Sequence, residues 1–235
     1  MSETRPRIAA VIPALDEEEA IADVVTAVRR EGLDEIVVVD SGSADRTVAR
    51  AEAAGARVVT APRRGYGLAC ATGAAAAMGS AEVLLFLDGD GSDRPEFIPT
   101  LLAPILEDRA DFVIGSRSRG ERERGSMGAH QLLAGRAAGL ATRFLYGVRY
   151  TDMCPFRAIR SAALRTLDMR EMTYGWNLEM QMRAARSGLR ILEVPVGHRR
   201  RAGGTSKVSG TILGSLKASL RIAATFARVA LERHS

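Results

Sequence analysis

Cysteine, aromatic side chains and long apolar runs are all scarce in this chain. Its 235 residues hold only Cys70 and Cys154, far apart and without metal-ligand spacing. Two buried thiols in a reducing compartment are therefore expected rather than a disulfide framework. Aromatics make up 5% of the residues, too few for the rows of stacking rings on which single-strand readers depend, so no nucleic-acid partner is expected. No stretch approaches the ~20 apolar residues that span a bilayer. The polar start MSETRPR, followed by an apolar run that stops at Pro13, does not read as a signal peptide. A cytoplasmic protein is expected, one able to lie peripherally on a membrane face.

What is present is length enough for one sizeable core and a net charge of +5. The charge favours polyanionic partners such as a diphosphate or an acidic lipid surface. The first half alternates strand and helix. Ile8–Ile12, Glu35–Val39, Arg57–Thr60, Glu82–Leu87 and Asp111–Ile114 are short apolar or β-branched runs. Between the first two, Asp16 and Glu19 have capping-box spacing, and Ile21, Val24, Val25 and Val28 form one helical stripe closed by Gly32. Further helices are expected over Thr47–Ala54, Leu68–Met78 and Glu96–Leu106. This order predicts an α/β fold with a mostly parallel sheet covered on both faces.

The second half reads differently. Ser116–Gly128 is dense in Arg, Glu, Ser and Gly without an apolar period, and is expected to be a mobile surface loop. A small-residue helix (Ala129–Tyr146), an extended piece (Met153–Ile159), a helix (Trp176–Ala185) and a strand (Arg190–Val194) stopped by Pro195 follow. A basic, glycine-rich segment covers His198–Lys207. The tail, from Ser209 to Arg233, is expected to be a helix with Lys217, Arg221 and Arg228 on one face.

Three motifs carry chemistry. In FLDGDGSD (Phe86–Asp93) an apolar strand ends directly in Asp88, with Asp90 two residues on. Ligands of open parallel sheets bind beyond the carboxyl ends of the strands. Two adjacent acids there repel one another unless a cation lies between them, and hard oxygen ligands suit Mg²⁺ or Mn²⁺. A calcium loop starting at Asp88 would need Gly and Glu where Asp93 and Pro99 stand, so that reading fails. A plain acidic turn is the bland alternative. In VVVDSGSADRT (Val37–Thr47) a second strand ends in an acid, Asp40, positioned to accept bonds from a ribose hydroxyl or a base edge. Ser43 or Asp45 serves as the helix cap of that junction. In VIPALDEEE (Val11–Glu19), Pro13 ends the first strand and Glu17 opens a helix at the same sheet edge.

These motifs, in this order and spacing, resemble the family 2 glycosyltransferases, in particular the dolichyl- or polyprenyl-phosphate mannosyltransferases. The resemblance continues through RRGYGLACATG (Arg63–Gly73), DFVIGSR (Asp111–Arg117), TDMCPFRAIR (Thr151–Arg160), GWNLEMQMRAARSG (Gly175–Gly188) and EVPVGHRRRAGGTSK (Glu193–Lys207). It implies a single GT-A domain over 1–235, with a nucleotide-sugar half (7–115), an acceptor half with a lid loop (116–207) and a C-terminal helix (208–235). It places Pro13, Leu15, Glu17 and Asp40 on the nucleoside, and Asp88 and Asp90 on the metal. Arg117 falls near the donor phosphates or acceptor, Arg201 and Lys207 match the basic pair contacting the diphosphate, and Gly204 and Ser206 keep the last loop compact. Gly67, Gly89 and Arg157 lie in the matched motifs and belong to the same substrate-binding set.

Three positions depart from the family pattern: Leu15 replaces an aromatic, Ser41 a second acid, and Ser92 a Gln. They leave the donor, a GDP- or UDP-sugar, open. The implied reaction is inverting displacement, with cations stabilising the departing diphosphate. A lipid-phosphate acceptor needs no base, whereas a small-molecule hydroxyl would call on Asp152 or Glu179. His130 and Gln131 are placed to reach the acceptor. The tail helix is expected on an anionic membrane face, on the domain itself, or on a second subunit of a homodimer. A nucleotidyltransferase and a non-catalytic nucleotide-sugar binder are the rival classes. The first would show a glycine-rich basic loop after the first strand, which VIPALDEEE is not.

Overall fold

Strand β1 (Ile8–Ala14) is a buried apolar run, flanked on one side by β2 (Glu35–Asp40) and on the other by β4 (Val83–Phe86). The computed structural model describes residues 5–203 and 212–232. Within them β3 (Arg57–Thr60), β5 (Phe112–Ser116), β6 (Arg157–Arg160) and β7 (Ile191–Pro195) complete one sheet of order β3-β2-β1-β4-β6-β5-β7. All neighbours run parallel except β6, which is antiparallel to both β4 and β5. The chain steps from β1 to β2 and β3 in one direction and to β4 in the other. A topological switch point therefore lies between β1 and β4, where open sheets form their ligand crevice.

Pro13 does not end β1. The strand runs one residue further, with Pro13 opposite Val39 and Ala14 opposite Asp40. With the strand's period of two, Pro13 shares the orientation of Val11, whose carbonyl accepts the Leu87 N–H on the β4 side. Strand β4 has already ended there, so the N–H that proline lacks is not needed. Pro195 is likewise tolerated inside β7, at the sheet's edge.

Helix α1 (Ile21–Arg30) buries Ile21, Val24, Val25 and Val28, and Gly32 follows it at φ +71°. The expected capping box is absent, because Asp16, at φ +49°, turns its carboxylate to the Ala44 N–H instead of to α1. Helix α2 (Thr47–Ala53) is capped at Arg46 without a side-chain bond, not at Ser43 or Asp45 as expected; Asp45, one residue earlier, instead accepts the Thr47 N–H in the turn that leads in. Helix α3 (Tyr66–Ala77) lies against β1 and β2 through Ala69, Cys70, Gly73, Ala74 and Ala77. A 3-10 turn (Pro95–Phe97) leads into α4 (Ile98–Leu106).

Helices α5 (Ala129–Tyr146), α6 (Ser161–Thr166), α7 (Trp176–Arg186) and α8 (Ile212–Leu231) belong to the second half. A small apolar cluster around Leu178, Met182 and Val229 joins α7 to α8. Ion pairs reinforce it: Arg183 and Arg186 from α7 meet Glu232, and Arg228 from α8 meets Glu179 at 2.9 Å. Arg228 thus turns toward α7, which fits the expected packing of the tail on the domain itself. The 116–128 segment is also less free than its composition suggests. The Glu123 N–H donates to the His198 carbonyl, and the His198 N–H donates to the carbonyl of Glu121. Among the described residues no helix is long and apolar enough to cross a membrane.

The α3 contact is testable. A Cβ at Gly73 would stand 2.4 Å from Val11 Cγ1 and 2.7 Å from Val39 Cγ2, whereas one at Gly79 meets nothing within 4 Å. Gly73→Ala is expected to cost about 1–3 kcal/mol in urea unfolding through overpacking, and Gly79→Ala is expected to be nearly neutral.

Candidate active site

The turn after β4 is folded largely by its own carboxylates. Asp93 Oδ2 accepts the Asp88 N–H at 3.0 Å, and Asp90 Oδ1 accepts the Ser92 N–H at 2.8 Å. Gly91, at φ +75°, supplies the left-handed residue. Gly89 lets the turn close on β1, where an added Cβ would lie 3.2 Å from the Pro13 carbonyl. A structural turn accounts for these contacts, but not for the oxygens left over. Asp88 Oδ1 and Asp93 Oδ1 are buried without a hydrogen-bond partner. Burial, with Asp93 and Asp90 beside it, pushes the Asp88 carboxyl well above the usual carboxylate range. Burial likewise raises Asp93 to about 6, although the Asp88 N–H and Arg117 oppose the shift. Such a cluster is short of positive charge.

The segment after β7 closes over this turn. The Arg199 N–H donates to the Ser92 carbonyl and the Ala202 N–H to the Asp90 carbonyl, both at 3.0 Å, while Arg199 Nε reaches the Gly91 carbonyl at 2.6 Å. This register delivers Arg201 to the crevice. Its Nη2 donates to both Glu17 oxygens at 2.7 and 2.9 Å, and its Nη1 lies 3.7 Å from Asp90 Oδ2. The same register buries His198 beside Asp93, with Nδ1 3.8 Å from Asp93 Oδ1. Burial, then the charge of Arg117, draws this imidazole down to about 4. It is neutral at physiological pH, and its Nδ1 has no hydrogen-bond partner. Sequence reasoning saw His198 only as part of a basic run, and Asp93 only as a position unsuited to calcium. Their pairing depends on a contact across more than a hundred residues, which no local spacing reveals.

The opposite wall is made by the loops after β1 and β2. Asp40 accepts the N–H groups of Gly42 at 3.0 Å and Ser43 at 3.1 Å. The Ser43 hydroxyl accepts the Asp16 N–H, and the Thr47 hydroxyl accepts the Glu17 N–H. The 15–17 segment is thereby held at the ends of β1 and β2, and Glu17 is linked through Arg201 to the turn that carries Asp90.

Comparison with known proteins agrees with this arrangement. The model of glycosyl transferase family 2 matches residues 9–168. The chain belongs to this family. The transferase is 35% identical to an uncharacterised glycosyltransferase of Mycobacterium tuberculosis, over 91% of this chain and 94% of the relative. It is 34% identical to a dolichyl-phosphate hexose transferase of Haloferax volcanii, over 84% and 85%. Among solved structures, glucosyl-3-phosphoglycerate synthase from M. tuberculosis, in complex with Mn²⁺, uridine diphosphate and phosphoglyceric acid, superposes with a TM-score of 0.78. It is 28% identical, and the match covers 98% of this chain and 80% of that one. The α/β sheet described above is thus the GT-A fold that the sequence implied.

In this transferase Pro13, Leu15, Glu17, Asp40, Asp88, Gly89, Asp90 and Arg201 come together at one sheet edge. Arg117 and Asp152 stand beside it but engage each other. Arg117 donates its backbone N–H, Nε and Nη2 to the Asp152 carboxylate at 2.9, 2.9 and 2.8 Å. Burial alone would raise Asp152; the bonds and charge of Arg117 outweigh it and hold the carboxyl below its ordinary value. Asp152 is an anchored anion rather than a free base. Glu179 is not at the site. Fully buried on α7, it accepts bonds from the N–H groups of Arg170 and Glu171 and from the side chains of Arg183 and Arg228. Its family motif carried the placement, and the inward turn of Arg228 explains the difference.

Arg157 is also fully buried, donating to the carbonyls of Cys154 and Asn177. Its guanidinium is thus spent on the backbone rather than presented to the crevice. Gly67 packs against the chain at 171–172, where a Cβ would lie 2.6 Å from the Glu171 carbonyl. Lys207, Gly204 and Ser206 lie outside the described residues, as do the side chains of His130, Gln131 and Lys217.

Removing one partner of a buried ion pair costs about 3–5 kcal/mol, because the other charge stays buried and unmatched. Asp152→Ala is therefore expected to destabilise the protein by that order in denaturant unfolding. Glu179→Ala should do the same while leaving the turnover of the folded fraction near wild type. A large loss of kcat in Glu179→Ala with unchanged stability would contradict the placement.

Proposed function

We propose that this transferase moves a hexose from a nucleoside-diphosphate sugar to a phosphate-bearing acceptor, with inversion, using a divalent cation held by Asp88 and Asp90. The observation that carries the reading is the buried, unpartnered Asp88 Oδ1 in a turn crowded by three carboxylates. Among the described residues no group of three or more His, Cys, Asp or Glu forms a complete metal site. Two carboxylates with an incomplete shell are the donor set expected for Mg²⁺ or Mn²⁺, which complete their coordination with substrate phosphates and water. The Mn²⁺ and uridine diphosphate in the mycobacterial synthase complex support the same choice.

When bound, such a cation neutralises charge on the departing diphosphate. The chain's own residues do the rest. Arg201, already steered by Glu17 and Asp90, offers a second positive charge to the leaving group. Asp40 and Glu17 shape the nucleoside end of the crevice. The Arg117–Asp152 pair fixes the end of β5 on the acceptor side.

The state of the two expected bases supports a reading of the acceptor class. Both expected bases, Asp152 and Glu179, have their oxygens occupied, and Asp93 is closed beneath the turn at 2% exposure. An acceptor that is already an anion, such as a lipid phosphate, needs no proton removed. The dolichyl-phosphate relative points the same way.

Thermal shift with UDP-glucose and GDP-mannose, with and without Mn²⁺, tests the donor site. At a hundredfold excess over Kd a true donor adds about 2.7 kcal/mol, and a chain of this size gains about 2–4 °C per kcal/mol. Asp90→Ala is expected to abolish the Mn²⁺-dependent part and to lower transfer by on the order of 100-fold or more. Release of pyrophosphate would instead mean nucleotidyl transfer, and binding without turnover a non-catalytic sugar-nucleotide binder.

A further inference from the structure

Helix α5 is built inside out. Its protein-facing side is made of small residues: Gly135, Gly139 and Thr142 are buried, and a Cβ at Gly139 would lie 1.8 Å from the Tyr150 carbonyl. Three of its large apolar side chains face away. Leu133, Leu140 and Phe144 are 70%, 67% and 90% exposed. At 3.6 residues per turn these three positions fall within an arc of about 40°. A helix that only needed to cover a core would show the reverse pattern. Arg136 and Arg143 are exposed along one margin of the stripe. From 129 to 151 the chain contains three arginines and neither Asp nor Glu.

We infer that the Leu133–Leu140–Phe144 face of α5 is a docking surface for an anionic lipid bilayer. Charge decides between this occupant and a second copy of the chain. An antiparallel isologous dimer on the stripe would set the Arg136–Arg143 margin against its own symmetry mate, and the helix carries no acid of its own to offset it. A bilayer receives the apolar side chains beneath its headgroups and meets the arginines with lipid phosphates. The location also fits the reaction. The inner face of α5 packs on the 150–152 chain, where a Cβ added at Gly135 would lie 3.6 Å from the Asp152 Cα, so the stripe stands about one helix diameter from the Arg117–Asp152 pair. This deepens the lipid-phosphate reading above, and rests on it only for what the surface is for.

Flotation of the full-length protein with vesicles tests the surface directly. Vesicles of phosphatidylcholine alone are compared with vesicles of phosphatidylcholine and phosphatidylglycerol in equal parts. The protein is expected to float with the anionic vesicles and only weakly with the neutral ones. Leu140→Glu with Phe144→Glu should lower anionic binding by about tenfold or more, and Arg136→Glu by about fivefold or more. All of these positions are exposed, so the donor-induced thermal shift should be unchanged in the variants. Equal flotation of wild type and the double variant would overturn the inference. So would a dimer in sedimentation velocity that Phe144→Glu dissolves while vesicles bind neither form. Vesicle binding without any donor-induced shift would uphold the surface and sink only the donor-site reading.

Discussion

Repulsion among Asp88, Asp90 and Asp93 is the constraint around which this molecule is arranged. Three carboxylates occupy six consecutive residues at the end of β4, and burial makes the negative charges of Asp88 and Asp93 harder to hold. The protein answers part of the problem with its backbone: the turn's own N–H groups bind one oxygen each of Asp90 and Asp93. The remainder is directed at the crevice. An arrangement that minimised this cost would place a neutral residue at 88 or expose it. Instead β1, β2 and the segment after β7 close around it.

The surrounding charges divide into two kinds. Arg117 and Asp152 are committed to each other, as are Glu179, Arg183, Arg228 and Glu232. These buried pairs are costly to break and contribute definition more than net stability. Arg201 is different. It lies across the cleft between Glu17 and Asp90, at 21% side-chain exposure, with one guanidinium edge beyond hydrogen-bond distance of its second partner. Among the described residues it is the cation best placed to exchange a carboxylate for a phosphate. Proposed donor chemistry and observed fold thus share the same residues, since the loop that carries Arg201 is fixed by the acidic turn it faces.

Much of this was legible in the sequence. Apolar runs ending in Asp40 and Asp88 gave two of the strands lining the crevice, and the Ile21–Val28 stripe gave its covering helix. Local pattern failed where a partner distant in sequence decided the outcome. Glu179 looks like any solvated helix acid until Arg183, four residues on, and Arg228 close over it. Pro13 looks like a strand stop unless it is known that β4 ends two residues short of it. Six-residue α6 gave no period to read, and the antiparallel insertion of β6 between β4 and β5 is a matter of topology, not of propensity. In α5 the hydrophobic period is present but points outward, and the glycines on its other face became informative only with Tyr150 against them.

The central claim is that Asp88 and Asp90 share one divalent ion with a donor diphosphate, and crystallography with Mn²⁺ and uridine diphosphate tests it most directly. The account predicts an anomalous manganese peak bound by oxygens of both aspartates and of the diphosphate, with the Arg201 guanidinium on the same phosphates. A diphosphate seated elsewhere, or manganese absent from these two carboxylates while the nucleotide is bound, would contradict it.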